Sequence, residues 1–553
     1  MTPLRVAVVG CGPWGLVVLD TLLGRWRRTG SSLPPLEVTV VDPAADPGGG
    51  LYAQTPEHLL LNTPAGDVDI FGRPGPRPAR ARTFLEFVRA RGYRVDEPDG
   101  PRSPGPDDYL PRAWLGDYLG WACTTLTSDL PDRVRVTHAR THVTRLDPGR
   151  DGVELTCSDG ERRRADFAFV TVGVPAPRPQ EVRPGPGETV VVAGMGLTAI
   201  DAVVSLTVGR GGRFEPAGEP GRLVYRPSGD EPVIHQFSRS GFFPLGRPAA
   251  RLDTLAGWDA TLPLAAAPEG SRSVDFRATV LPALLAKMAE AELWPDRTRA
   301  VQHAASPAVL SAAVDAPRAT FASAQQYGSA VHDALAADVD ECAHPTLPAR
   351  RRGVESLKLL RDDVRRLCDF DRLTPESHAW FLRSVLPLFY RFTVGPPASR
   401  GRELLALREA GVLRHDLGPA PAVTAAGAGA VVTSTSLHTP TTVVTDHCVP
   451  GHLPAPTVDT LPAFLADGVR SGHVVLRRAG GREVGIAVDS RFHPIGPAGP
   501  LTTKVAYLGA LTEGSRHFNF YVPSPGVRAR AYLDAERCVD VLLDGLLVQA
   551  AGA

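Results

Sequence analysis

Hydrophobic patterning is clearest at the start of the chain. Leu4-Arg5-Val6-Ala7-Val8-Val9 is an apolar, mostly β-branched run that reads as a buried strand. It leads without a spacer into Gly10-Cys11-Gly12-Pro13-Trp14-Gly15, after which apolar residues recur at helical spacing from Leu16 to Leu23. A second strand-like run, Leu36-Glu37-Val38-Thr39-Val40-Val41, ends in Asp42. Strand, G-x-G-x-x-G turn, helix and a strand closing on an acid are the parts of a dinucleotide-binding unit. In that reading Gly10 allows the tight turn, Gly12 admits a pyrophosphate against the backbone, and Gly15 lets helix and strand pack closely. The helix N-terminus offers N–H groups and partial positive charge to phosphates. Asp42 is placed to accept hydrogen bonds from ribose hydroxyls.

The same pattern returns about 180 residues later. Thr189-Val190-Val191-Val192-Ala193 is a strand, Gly194-Met195-Gly196-Leu197-Thr198-Ala199 is G-x-G-x-x-A, and Ile200 to Leu206 is helical. The next long strand, Pro232 to Phe237, ends at Ser238-Arg239-Ser240 instead of an acid. An arginine flanked by hydroxyls suits a 2′-phosphate, hence NADPH over NADH; an arginine merely capping the strand is the competing reading. Two fingerprints imply two dinucleotides, one resident and one visiting, as when a hydride donor serves a bound redox cofactor.

Other stretches supply candidate ligands. Gly48-Gly49-Gly50 gives backbone that a ligand can approach, and Asn62 ends the apolar run His58 to Leu61 as either a ligand or a turn residue. Gly72 to Pro106 is a proline- and arginine-rich surface excursion around one helix, Thr83 to Val88. Tyr109 to Trp121 is a proline-started helix with Arg112 in its first turn, where a cation opposes the helix dipole. Arg112 is therefore a candidate for a cofactor phosphate, a solvated arginine being the alternative. Val134 to His138, Thr144 to Leu146 and Gly152 to Cys157 alternate as the strands of a small antiparallel meander. Ala165 to Val172 is a buried strand ending at Gly173, which returns the chain to the parallel sheet beside the nucleotide. A proline-rich linker, Pro175 to Pro186, follows.

From 251 to 395 the pattern is mainly helical, with amphipathic pieces at 280–288 and 355–360 and a helix capped by Thr374 with Pro375 in its first position. This region is expected to roof the active site and select the substrate. Arg391, among aromatics, and Arg400, near a turn, are candidates for a substrate carboxylate, against a structural role for each. Strand character resumes at Val431 to Ser434 and Thr442 to Asp446, and Leu461 to Leu465 is a short helix. Lys504 to Gly514 is strand then loop, before a last helix from about Arg528 to Val548. A flavin ring is accommodated by such a strand, loop and helix N-terminus. The expected boundaries are 1–180 (FAD-binding, first part), 181–250 (NADPH-binding, first part), 251–395 (helical insertion), 396–450 (return of the NADPH-binding domain) and 451–553 (C-terminal part of the FAD-binding domain).

Composition adds exclusions. In 553 residues, 60 Lys and Arg balance 60 Asp and Glu, so nothing indicates steering by nucleic acid or a membrane surface. No apolar run reaches the length of a membrane span, and the N-terminus enters a strand without a signal-peptide core. Seven scattered cysteines without a C-x-x-C pair read as reduced thiols of a cytoplasmic protein. No Ser-His-Asp or metal set is evident, and His235, His493 and His517 read as structural more than catalytic.

The paired fingerprints, Leu60-Leu61-Asn62, Leu110-Pro111-Arg112 with Tyr118-Leu119, the Ser228-Gly229-x-Glu231-Pro232 hairpin before Ser238-Arg239, and Thr512-Glu513-Gly514 resemble the FAD-NAD(P)-binding family, a group related to the N-hydroxylating flavin monooxygenases. The resemblance implies an α/β fold with two Rossmann-like dinucleotide-binding domains, for FAD and NADPH, and a mainly helical inserted region. It places FAD against Gly10, Gly12, Pro13, Trp14, Gly15, Asp42, Asn62, Arg112, Val143 and Gly173, with Thr512, Glu513 and Gly514 near the flavin. It places NADPH against Gly194, Gly196, Thr198, Ser238 and Arg239. The implied activity is an FAD- and NADPH-dependent monooxygenase acting with O2, through a C4a-hydroperoxyflavin, on the amine of an amino acid or related small molecule. Oxidation of aspartate to nitrosuccinate in secondary metabolism is one such activity. Two alternatives stay open, an NADPH-dependent flavin oxidoreductase without oxygen insertion and a non-catalytic dinucleotide-binding scaffold; so does assembly into a homo-oligomer.

Overall fold

The computed structural model describes residues 2–551 apart from 30–32, 74–76, 98–99, 175–181, 220, 249–254, 295–303, 315–317, 428, 521 and 525–529, with backbone alone for 546–551. The chain divides into two units, Met1–Pro175 with Asp369–Asp371 and Pro454–Ala553, and Ala176–Cys368 with Arg372–Leu453. Most of the linker read at 175–186 lies outside the described residues.

The first unit is built on a five-stranded parallel sheet in the order Val505–Tyr507, Phe167–Val170, Leu4–Val9, Leu36–Val41, Val134–Ala139. The valine runs stand side by side, Val6 opposite Val38 and Val8 opposite Val40 and Phe169, and all are buried. Continuous apolar runs of this kind suit a parallel sheet covered on both faces. Helix Pro13–Thr29 follows the first strand and packs on the C-terminal helix Arg530–Ala551. Helix Arg112–Thr127 covers the loop after the second strand. Helix Phe84–Ala90 opens with a capping box, in which Thr83 Oγ1 accepts from Glu86 N and the Glu86 carboxylate accepts from Thr83 N.

One grouping of strands differs from the sequence reading. Val134–Ala139 does not open the meander; it is the outer strand of the parallel sheet, paired with Leu36–Val41. The meander consists of Val143–Pro148, Val153–Cys157 and Arg162–Ala165. Being at an edge, Val134–Ala139 buries only Val134 fully, so its alternating pattern imitated a half-exposed antiparallel strand.

The second unit has a four-stranded parallel sheet in the order Leu413–Arg414, Val233–Phe237, Thr189–Ala193, His447–Pro450. Strands Ala422–Ala426, Gly429–Thr433 and Thr442–Thr445 form an antiparallel meander beyond it. The region between is helical, as the pattern indicates. Thr374 Oγ1 accepts from Ser377 N and Pro375 takes the first helical position. Two π-helical turns, Phe276–Val280 and Phe381–Val385, interrupt it and meet through Phe276 and Phe381, whose rings are 4.9 Å apart. Each is followed after one residue by a proline, Pro282 or Pro387. A proline has no N–H to donate and its ring pushes on the preceding turn, so the helical ladder widens there. Among the described residues no helix is long and apolar enough to cross a membrane.

Candidate functional site

In the first unit all five strands run in one direction, so the loops after them share one edge. Gly10, Asp42, Gly173 and the segment after Tyr507 all leave the sheet there. In open parallel sheets ligands bind at this edge, where strand order reverses.

The three fingerprint glycines have three different environments. Gly10 has φ +87°, and a Cβ on it would sit 3.0 Å from Val172. A Cβ on Gly15 would lie 2.3 Å from the Gly10 carbonyl oxygen, so helix and turn touch through this glycine. Among the described residues, a Cβ on Gly12 would meet no atom within 4 Å. Packing therefore explains Gly10 and Gly15 but not Gly12, whose bare backbone leaves room for a group to lie against it. The open space at Gly12, beside the N-terminus of Pro13–Thr29, fits a diphosphate. Gly173 is exposed and likewise open.

Asp42 ties this loop in place. One carboxylate oxygen accepts from Cys11 N at 2.8 Å and the other from Ala44 N at 2.9 Å. A carboxylate has about four lone-pair positions, which leaves acceptor capacity for ribose hydroxyls. Thr171 Oγ1 donates to the Gly10 carbonyl at 2.6 Å, a contact that the fingerprint does not announce. Cys11 and Cys123 are buried; their mutual hydrogen bond, with burial, pushes the Cys11 thiol well above its ordinary range and keeps it protonated.

Asn62 and Arg112 are brought together from 50 residues apart by backbone pairing: Leu61 N donates to Leu110 O at 2.9 Å and Arg112 N to Leu59 O at 2.9 Å. Both are half-buried, and Arg112 is the first helical residue with Pro111 as its cap. Gly48 and Gly49 do not face a ligand. Cβ atoms there would lie 2.5 Å from Leu119 O and 2.9 Å from Gly116 O, so these glycines admit the helix Arg112–Thr127 instead. Val143 is buried as the first residue of its meander strand.

The segment after Tyr507 meets the fingerprint at Trp14: a Cβ on Gly509, which has φ +82°, would be 3.0 Å from the indole. Thr512 Oγ1 donates to Gly509 O, and the Glu513 carboxylate accepts from Phe518 N and Asn519 N, each at 3.1 Å. Gly514 has φ +96° and packs on Val484. These three candidates thus shape the loop through their side chains and its turn. Beyond them, Arg516 is fully buried between Asp369 and Asp534, and His517 Nδ1 lies 2.7 Å from Asp369. Against the desolvation of full burial, Arg516 and His517 draw Asp369 down to about 2. Nothing local in the sequence signals this cluster, because Asp369 and His517 are 148 residues apart.

The second fingerprint repeats the first. Gly194 is in contact with backbone: a Cβ on it would sit 2.3 Å from Gly451 O. Gly196 caps helix Leu197–Thr207, and a Cβ on it would meet nothing within 4 Å. Thr198 is half-buried in the first turn. Gly451, outside the motif, lets the chain after the last strand pass close to Ala199, whose Cβ would be 2.6 Å away from its own. At the end of Val233–Phe237, Ser238 Oγ accepts from Gly241 N at 3.0 Å, turning the loop that carries Arg239. Arg239 is exposed, with no hydrogen bond or ion pair to a described residue. Arg239→Ala is expected to raise the KM for NADPH about tenfold or more, the size of a lost charge-assisted phosphate contact, and to leave that for NADH nearly unchanged. Equal effects in steady-state kinetics with the two nucleotides would exclude Arg239 as the phosphate reader.

The two substrate candidates part company. Arg400 is buried and paired with Glu403 one turn on in its own helix. Arg391 is half-buried, with its Nε 3.4 Å from Phe243 O and its guanidinium over the Phe242 ring.

Residues 7–175 match the family described as FAD-NAD(P)-binding. A protein of Streptomyces davaonensis named L-aspartate N-monooxygenase (nitrosuccinate-forming) is 31% identical over 505 residues, 75% of this chain and 76% of its own. A protein of the same name from Streptomyces cremeus is 29% identical over 74% of each chain. Among solved structures, an ornithine hydroxylase of Pseudomonas aeruginosa aligns over 99% of this chain and 100% of its own, with a TM-score of 0.42 and 10% identity.

Proposed function

The chain belongs to the FAD-NAD(P)-binding family of flavin monooxygenases that includes the nitrosuccinate-forming L-aspartate N-monooxygenases, with FAD and NADPH as its cofactors, and from this we propose that it oxidises the amine of L-aspartate or a closely similar dicarboxylic amino acid. The observation that carries the reading is the pair of open cradles, at Gly12 and at Gly196, each beside a helix N-terminus and each in its own parallel sheet. One cradle suits a resident cofactor and the other a nucleotide that comes and goes.

Bound in the first cradle and reduced by the nicotinamide nucleotide, the flavin supplies the oxygen-activating chemistry. The protein's own groups bind and orient. Gly12 and the first turn of Pro13–Thr29 receive the diphosphate, Asp42 receives ribose hydroxyls, and Arg112 adds positive charge at a second helix start. Glu513 fixes the loop 513–519 through two backbone N–H groups. Gly196, Thr198, Ser238 and Arg239 serve the nucleotide in the second unit.

The test uses purified, flavin-loaded protein with NADPH and L-aspartate, following oxygen uptake and product mass together. Amine oxidation ending at nitrosuccinate is the expected result. NADPH oxidation with no oxygen transferred to any amino acid would favour a flavin oxidoreductase instead.

A further inference from the structure

We propose that Arg247 and Arg391, carried on and beside the turn Phe242–Arg247 of the second unit, bind the carboxylates of the substrate. The inference rests on the amino-acid-oxidising reading above and assigns residues to its substrate.

The turn is gripped from several elements at once. Gly246 N donates to Asp338 at 2.7 Å, and Arg351 donates to Gly246 O. Leu245 N donates to Arg391 O at 2.9 Å, and Arg247 N to Pro396 O at 2.8 Å. A Cβ on Gly395 would fall 1.6 Å from Leu245 O, so the two backbone segments are in direct contact. A rigid turn of this kind fixes the side chains that flank it.

The charges around the turn do not balance locally. Arg351, fully buried, binds Asp338 at 2.6 Å and Glu355 at 3.1 Å and lies 3.5 Å from Glu341. Lys358 shares Glu355. The nearby carboxylates are thus committed to Arg351 and Lys358. Among the described residues no carboxylate lies within ion-pair distance of Arg247 or Arg391, and Arg247 Nε is buried without a hydrogen-bond partner. Burial and the fields of Arg247 and Arg351 push Lys358 down to about 8 in spite of Glu355, which reports the same surplus of positive charge. Burial likewise lowers Arg391, outweighing the opposing field of Asp338.

A desolvated cation without a counter-ion is unfavourable unless an anion arrives to complete it. The guanidinium fork matches a carboxylate in two parallel hydrogen bonds, which a lysine cannot do. Two such forks beside one rigid turn offer one partner to each carboxylate of a small dicarboxylate. The void beside the turn, about 10 Å³ and lined by Phe243, Gly246, Asp338 and Cys342, holds no more than a water, so the ligand must meet the exposed sides of the half-buried guanidiniums.

The test is calorimetric titration of the flavin-loaded protein with succinate, a dicarboxylate without an amine. It compares wild type with Arg247→Met and Arg391→Met, alongside the KM for L-aspartate. Each methionine variant is expected to weaken succinate binding at least tenfold and to raise the KM in proportion, with flavin content and NADP+ affinity retained. Unchanged succinate affinity in both variants overturns the proposal. So does a loss of NADP+ affinity in place of succinate affinity, which would assign the cluster to the nucleotide phosphate. Should a methionine variant lose its flavin, Arg247→Lys and Arg391→Lys carry the test, with intermediate affinity expected and wild-type affinity overturning it. Succinate binding that depends on both arginines, without oxidation of any dicarboxylic amino acid, would keep the site and remove the reading beneath it. Aspartate oxidation with an unchanged KM in both variants would do the reverse.

Discussion

Gly12→Val is expected to yield a folded protein that purifies without flavin. The expectation follows from the space around this residue. Among the described residues a Cβ on Gly12 meets no atom within 4 Å, and its φ is not in the left-handed region, so branching at this position starts without a clash or backbone strain. What its methyl groups do occupy is the opening beside the first turn of Pro13–Thr29. A diphosphate held there must lie against the backbone, and valine pushes it away by more than a bond length. Flavin affinity should fall about tenfold or more, and the stabilisation that a bound ligand adds should vanish with it. Gly15→Val is the contrast. Its Cβ would be 2.3 Å from the Gly10 carbonyl, so strand and helix must separate and the fold suffers with or without cofactor. Flavin absorbance and thermal unfolding separate the two outcomes. Full flavin occupancy in Gly12→Val would remove the first cradle from the account. Gly196 has the same open surroundings in the second unit, so the same substitution there should weaken NADPH and spare flavin.

These cradles were legible in the sequence because every part of them is local. The turn glycines, the valine strand before them, the helix after and Asp42 at the end of the next strand all fall within about 40 residues. Helix starts were legible for the same reason, as at Thr83 with Glu86 and at Thr374 with Pro375. Features whose partners are far away were not. Gly48 and Gly49 are glycines because a helix some 70 residues later lies against them, and no local pattern distinguishes that from a ligand. Val134–Ala139 alternates because it is an edge strand, and alternation by itself does not say whether the neighbour is parallel. Arg391 stood out among aromatics, with a structural role as its alternative, but Arg247 and Arg351 were hidden among many arginines; only burial and the whereabouts of carboxylates separate the paired from the open ones. The π-helical turns leave a faint trace in Pro282 and Pro387, which a helical pattern absorbs.

Asp369→Asn is expected to destabilise the first unit by about 3–5 kcal/mol, the usual cost of breaking a buried ion pair from one side. The chain enters this unit for three residues only, Asp369–Asp371, between two stretches of the second unit. Phe370 and Asp371 both have left-handed backbone, at φ +57° and +58°, which non-glycine residues adopt at a cost. What holds them is a set of buried contacts. Asp369 accepts from Arg516 on one oxygen and from His517 N and Nδ1 on the other, at 3.1 and 2.7 Å. Phe370 N donates to Ser515 O at 2.9 Å, and Asp371 pairs with Arg477. Asparagine fits the shape but must point its amide N–H₂ at one of these donors, leaving a buried charge or a buried N–H unsatisfied. The same argument gives a pH dependence. Asp369 sits at about 2 in the folded protein against an ordinary 3.8, so between those values the unfolded chain binds the extra proton. Its contribution, roughly 2 kcal/mol, is complete above about pH 5 and is lost as pH falls through about 2. Denaturant unfolding of wild type and Asp369→Asn from neutral to acid pH should therefore show the two curves converging below about pH 4. Parallel curves across that window would mean that Arg516 and His517 do not hold this carboxylate in its charged form. Because Arg516 and His517 lie within the loop shaped by Glu513, the variant should also lose flavin more readily than wild type at neutral pH.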